Sequence, residues 1–126
     1  MTSTSASAEW IKVAKNSGDS YYVDFGNINK KDGYVFFWNL TNYLQLASCF
    51  ESDLGTVKYS KPLSSKTHYK GDCRMFRYKI LNYSWHNDPM GKGIGIVDDT
   101  PDKDWTYPEI NSVAGKILNS VCKYSN

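Results

Sequence analysis

The side chains of this chain that can do chemistry are three cysteines, two histidines and a basic band threaded with aromatic rings. Cys122 is the most informative of them. It lies in a segment, 111–124, whose apolar residues are Val113, Ala114, Ile117, Leu118, Val121 and Cys122. They recur with the period of one stripe of an α-helix. The Cys122 sulfur therefore faces whatever this helix packs against. Cys73 opens a long β-patterned run and is the expected partner. A bond between them would clip a C-terminal helix onto a sheet and contribute ~2–4 kcal/mol by constraining the unfolded chain. Disulfides persist in oxidising compartments, so the pair points to an exported protein. Cys49 is left over. It follows Leu46-Ala47-Ser48 and precedes Phe50, which suits a buried, inert thiol. No two cysteines have Cys-x-x-Cys spacing, so no zinc site is expected.

The band runs from Lys58 to Lys79 and holds seven Lys or Arg against one acid, Asp72. Its cations alternate with Tyr59, Tyr69, Phe76 and Tyr78. Arg and Tyr are favoured at protein interfaces. Lys58, Lys61, Lys66, Tyr69, Lys70, Arg74 and Arg77 are therefore the candidate contact residues for a protein partner. The pattern could also hold single-stranded nucleic acid. The expected export and a net charge of only +2 argue against that partner. An acidic band follows, with five acids against Lys103 between Asp98 and Glu109.

Catalytic and cofactor motifs are weak. His68 and His86 belong to no nucleophile motif, and Gly-x-Ser-x-Gly is missing. Gly91-Lys92-Gly93-Ile94-Gly95 lacks the following helix and the Lys-Ser/Thr pair of a phosphate loop. Its glycines suit a bend, a bulge or close backbone approach. The acids of 98–104 lack the ligand spacing of a calcium loop. His86 and Met90 are residue types that can hold haem iron. A turn with Met90 in the core accounts for them better. The expectation is a protein with no cofactor, no metal and no enzymatic activity.

These side chains need a scaffold. At 126 residues, 40% apolar and 15% aromatic, the chain forms one domain with a sizeable core. The domain is expected over 9–126. Residues 1–8 read as a flexible N-terminus, and Ala6-Ser7-Ala8 has the small-x-small form left by a signal peptidase. No stretch approaches the roughly 20 apolar residues of a membrane span. Residues 9–15 and 20–25 read as a hairpin about Ser17-Gly18-Asp19. Asp32-Gly33 signals a second tight turn. The run from Tyr34 to Leu40 is apolar on both faces, as in a central strand. Pro62 limits 57–69 to an edge or interrupted strand. Gly71-Asp72 is then expected to turn the chain into a strand from Cys73 to Trp85, and 91–97 into a short one. Asn111 or Ser112 caps the helix. The layout is α+β, an antiparallel meander sheet with one C-terminal helix. Open sheet edges also make a homodimer a reasonable expectation.

The order of several short motifs adds to this. Trp38-Asn39-Leu40 with Tyr43 is followed by Tyr59-Ser60-Lys61, Asp72-Cys73, and Arg77-Tyr78-Lys79-Ile80-Leu81. Met90-Gly91-Lys92-Gly93, Trp105, Pro108, Ser112-Val113 and Val121-Cys122 complete it. From Trp10 to Cys122 the chain resembles the surface-adhesin protein E family of Gram-negative bacteria. The resemblance implies a bent antiparallel sheet of about six strands, with a C-terminal helix held to its concave face by a disulfide. It implies export to the periplasm, the outer surface or the medium. It also implies binding to extracellular-matrix proteins such as vitronectin and laminin. Cys49 and the lack of a lipid-bearing N-terminal cysteine depart from the family pattern. Two other readings compete: a periplasmic carrier of a small ligand such as haem, and a small inhibitor or immunity-type protein.

Overall fold

The computed structural model of the protein describes residues 8–43 and 63–125. Seven antiparallel strands and one helix account for them. The strands are β1 (Trp10–Lys15), β2 (Asp19–Asp24), β3 (Asn29–Lys31), β4 (Tyr34–Tyr43), β5 (Ser64–Asp72), β6 (Arg77–His86) and β7 (Gly95–Asp98), and the helix is α1 (Val113–Ser125). The spatial order is β1-β2-β4-β5-β6-β7, with β3 pairing the first residues of β4. The α+β meander expected from the sequence is therefore the fold. Cys49 lies outside the described residues, as do Lys58, Lys61 and Pro62 and most of the expected N-terminal tail.

Turn chemistry sets the register. Lys31 pairs Tyr34 across Asp32 and Gly33, whose φ angles of 56° and 84° are those of a two-residue hairpin turn. In the first hairpin, Asn16 Oδ1 accepts from the Gly18 and Asp19 amides at 3.0 and 2.8 Å. Two expectations need correcting. Of the two alternatives for 57–69, the edge strand fails: the described part belongs to β5, which begins at Ser64 after Pro62 and is central between β4 and β6. Moreover, β5 continues through Gly71 and Asp72, and the turn falls at Cys73–Phe76. The cause is the Asp72 side chain. Its Oδ1 accepts from the Arg74 and Met75 amides at 3.1 and 3.2 Å, closing a turn that strand alternation cannot reveal. Phe76 adopts a left-handed φ of 51° there.

Alternation divides the sheet into two faces. Val23, Val35 and Phe37 lie on the inner face and pack against Ile117, Leu118, Val121 and Cys122 of α1. Phe37 stacks on Tyr69 at 5.1 Å, and Tyr69 meets Tyr78 edge-on at 5.2 Å. Gly71 permits the helix to come this close. A Cβ there would sit 2.9 Å from Val35 Cγ2 and 3.0 Å from Leu118 Cδ1. The helix begins where the Ser112 hydroxyl accepts from the Gly115 amide at 3.0 Å. It is pinned near its end by the Cys73–Cys122 disulfide, with Cα atoms 5.7 Å apart.

The outer face has its own cover. Leu40 is fully buried on it, beneath a single 3-10 turn at Pro89–Gly91. Ser64 Oγ donates to the Asp88 carbonyl at 2.6 Å and accepts from the Gly91 amide at 2.9 Å. The Met90 amide donates to Asn42 Oδ1 at 2.8 Å. The glycine-rich stretch thus bends back over β4 and β5. The strand it leads to, β7, is shorter than the sequence suggested.

Two outcomes test this construction. Reducing the disulfide, or replacing Cys122 by Ser in a Cys73→Ser background, should lower unfolding free energy by about 2–4 kcal/mol in a urea titration. Gly71→Ala should cost about 1–3 kcal/mol with the disulfide intact, because the helix must lift from the sheet.

Candidate functional site

The candidate contact residues separate by face. Lys66 and Lys70 of β5 and Arg77 of β6 project from the outer face, in register with Leu40, Phe36 and Asp72 respectively. Arg74 is exposed in the turn between these strands. Tyr69 is different. It lies on the inner face against Phe37, and burial drives its phenol well above the ordinary value. Tyr69 is a core residue, and the structure separates it from the cations.

The outer face brings in aromatic rings from far along the chain. The segment after β7 returns along β6, beside the half that β7 leaves open. Tyr78 and Thr106 exchange two backbone hydrogen bonds of 2.9 Å. The Asp102 amide donates to the Ile80 carbonyl at 2.8 Å, and Asp102 Oδ2 accepts from the Ile80 amide at 2.9 Å. This docking places Trp105 over the basic strands. Its ring stacks on Tyr34 with centroids 5.6 Å apart and planes 26° apart. The Arg77 guanidinium lies 4.2 Å from the Trp105 centroid, Lys79 Nζ 5.0 Å and Lys70 Nζ 5.8 Å. Lys70 Nζ also lies 4.3 Å from the Tyr34 centroid. Aromatic faces attract cations, so the four elements form one cluster.

Arg77 has a structural duty within it. Its Nε donates to Asp72 Oδ2 at 2.8 Å, and Nη1 donates to the Tyr107 hydroxyl at 3.1 Å. Lys70 and Lys79 have no acidic partner among the described residues. They are the cations left to meet another molecule. Sequence reasoning missed Tyr34, Trp105 and Tyr107. A lone tryptophan within an acidic stretch was the available signal, but its docking site lies some way back along the chain.

The other chemical candidates are engaged separately. His86 is buried, and its Nε2 is 2.7 Å from Ser84 Oγ. Met90 Sδ accepts from Asn42 Nδ2 at 3.4 Å. Each thus has its own polar neighbour, and these contacts do not pair them about an iron. Among the described residues no group of His, Cys, Asp or Glu has the arrangement of a metal site.

A family model described as surface-adhesin protein E matches residues 10–123. The chain belongs to that family. Solved structures of Haemophilus influenzae protein E share its fold. A second crystal form is 16% identical, with a TM-score of 0.67, covering 93% of this chain and 90% of that one. The structure from a non-typeable strain is 14% identical, with a TM-score of 0.65, covering 95% and 79%. No curated protein matches the sequence. Family membership makes this an exported or surface protein. No described helix is long and apolar enough to cross a membrane.

The Asp72–Arg77 pair gives a pH signature. Burial alone would raise the Asp72 pKa, but the Arg77 guanidinium and the Met75 and Arg74 amides outweigh it and hold it below the usual value. A depressed carboxylate stabilises the fold above its unfolded pKa, and that stabilisation fades as pH falls through the folded value. Asp72→Asn should therefore lower stability at neutral pH. The gap from the wild type should narrow below about pH 4 and close in stronger acid. Denaturant titrations across pH measure it, and a gap constant with pH would show that the charge is not responsible.

Proposed function

We propose that this protein is a non-enzymatic adhesin that binds an extracellular-matrix protein through the outer-face cluster of Lys70, Lys79, Tyr34 and Trp105. One observation carries the reading. Two lysines with no acidic partner among the described residues are held over two stacked rings on a rigid sheet. The rings remove flexibility from the lysines before a partner arrives, which reduces the entropy lost on binding. Their ammonium groups remain available to acidic side chains of that partner. The rings add apolar area beside them, the combination favoured at interface centres. Membership of a family named for surface adhesion agrees with this role. The outer edge of β1 has no partner strand among the described residues and is where a second copy would pair.

Immobilised vitronectin and laminin are suitable probes. Lys70→Glu with Lys79→Glu should weaken binding to at least one of them by tenfold or more and flatten its salt dependence. Stability should fall only by the lost cation–π contacts, about 0.5–1 kcal/mol each, because neither lysine has an ion pair among the described residues. Unchanged binding by the double variant would remove the cluster from the interface.

A further inference from the structure

A second concave site lies on the same outer face, near the opposite edge of the sheet. It is a cleft of about 400 Å3 whose lining includes Trp10, Asp24, Asn27, Asn29, Trp38, Lys66 and His68. Strand pairing explains how they meet. Trp10 pairs Asp24 across β1 and β2. Trp38 pairs His68 across β4 and β5. Val23 pairs Asn39, so Asp24 comes beside Trp38 and the four residues form one row across four strands. Trp38 is clamped by its stack on His68, with centroids 4.4 Å apart and planes 9° apart.

The row contains an unfinished polar group. Asp24 is only 3% exposed. Its Oδ2 accepts from Asn27 Nδ2 at 2.6 Å. Its Oδ1 is buried with no hydrogen-bond partner among the described residues. A buried acceptor left unmade costs free energy, and native structures rarely leave one without a reason. The folding core does not need a carboxylate at this position, since the hydrophobic contacts with α1 lie on the other face. A ligand that donates a hydrogen bond to Oδ1, once the lining parts slightly, would complete it.

The lining specifies what kind of ligand. Two indoles offer flat apolar surface. Asp24 accepts, Lys66 donates, and the Asn27 and Asn29 amides can do both. This mixture suits a molecule with apolar C–H faces and a rim of hydroxyls. A cationic ligand would also favour the indoles and the acid, but Lys66 on the lining opposes it. The volume falls within the range of small-ligand sites. We infer that the Trp10–Asp24–Trp38 cleft is a binding subsite for a neutral hexopyranose unit of a glycan. Asp24 takes a sugar hydroxyl as hydrogen-bond donor, and Trp10 and the free side of Trp38 meet the sugar's C–H faces. This site is separate from the Trp105 cluster, and it stands whether or not a matrix protein binds there.

The test uses the full chain, with tryptophan indole N–H signals assigned through single Trp→Phe variants. The probes are methyl galactoside and methyl mannoside, as termini of surface glycoproteins, and chitotriose, as a polymer of the cell-wall and chitin type. Choline chloride is the cationic control. At least one saccharide should shift Trp10 and Trp38, leave Trp85 and Trp105 in place, and saturate at millimolar concentration. Which probe binds distinguishes the two sources of glycan. Asp24→Asn and Trp10→Ala should each weaken that binding at least tenfold, while Lys79→Glu should not change it. If Asp24→Asn fails to fold, Trp10→Ala on the outermost strand decides the matter. Absence of any saccharide response up to about 50 mM, a response to choline alone, or shifts centred on Trp105 would each overturn the inference.

Discussion

The close seating of α1 on β4 and β5 is the contact on which the rest of the structure depends. It is possible because residue 71 has no side chain, and a single methyl there would meet both the sheet and the helix. It lasts because Cys122 is bonded to Cys73 in the turn after β5. That turn is shaped by Asp72, whose two oxygens serve different ends. One closes the backbone beside Cys73, and the other holds Arg77 at the edge of the aromatic cluster. The pin on the inner face and the charged surface on the outer face therefore share one carboxylate.

With the inner face closed by the helix, the outer face is relieved of most core duty. Leu40 is the fully buried apolar residue there, with Ser64 buried beside it under the 3-10 turn. The remaining positions carry indoles, lysines and amides, side chains with one dry and one wet end. Strand pairing arranges them in rows, and the rows differ in character. Toward β6 the rings hold cations. Toward β1 they flank a carboxylate. A single rigid sheet thus presents two unlike surfaces.

Much of this was legible in the sequence because local signals carried it. The Asp32-Gly33 turn, the first hairpin, the helical stripe and its Ser112 cap each depend on residues close together in the chain. The Cys73–Cys122 pair followed from a cysteine on a buried stripe facing a strand run. What failed depended on contacts that a pattern does not show. Asp72 bonds its own following amides and ends β5 later than expected. Tyr69 sits among the cations in the sequence, but neighbours on a strand point to opposite faces. Lys66 and Lys70 share one parity and Tyr69 has the other. Trp105 could not be placed, because its position follows from the hydrogen bonds of Thr106 and Asp102 to β6. The cleft at Trp10 was equally hidden, since it joins four strands.

The same docked segment has a consequence for behaviour in a crowd. Proteins concentrated at a cell surface meet their own copies continually, and a bare strand invites a neighbour to add itself. Along the first half of β6, Thr106 and Asp102 occupy the backbone groups that such a neighbour would use. Beyond them, β7 occupies the rest. The stretch that brings Trp105 to the cluster therefore also closes the first half of β6 to such a neighbour, and among the described residues it leaves the short β7 as the bare strand on this side. Display of the rings and closure of that half of β6 are achieved by one stretch of chain.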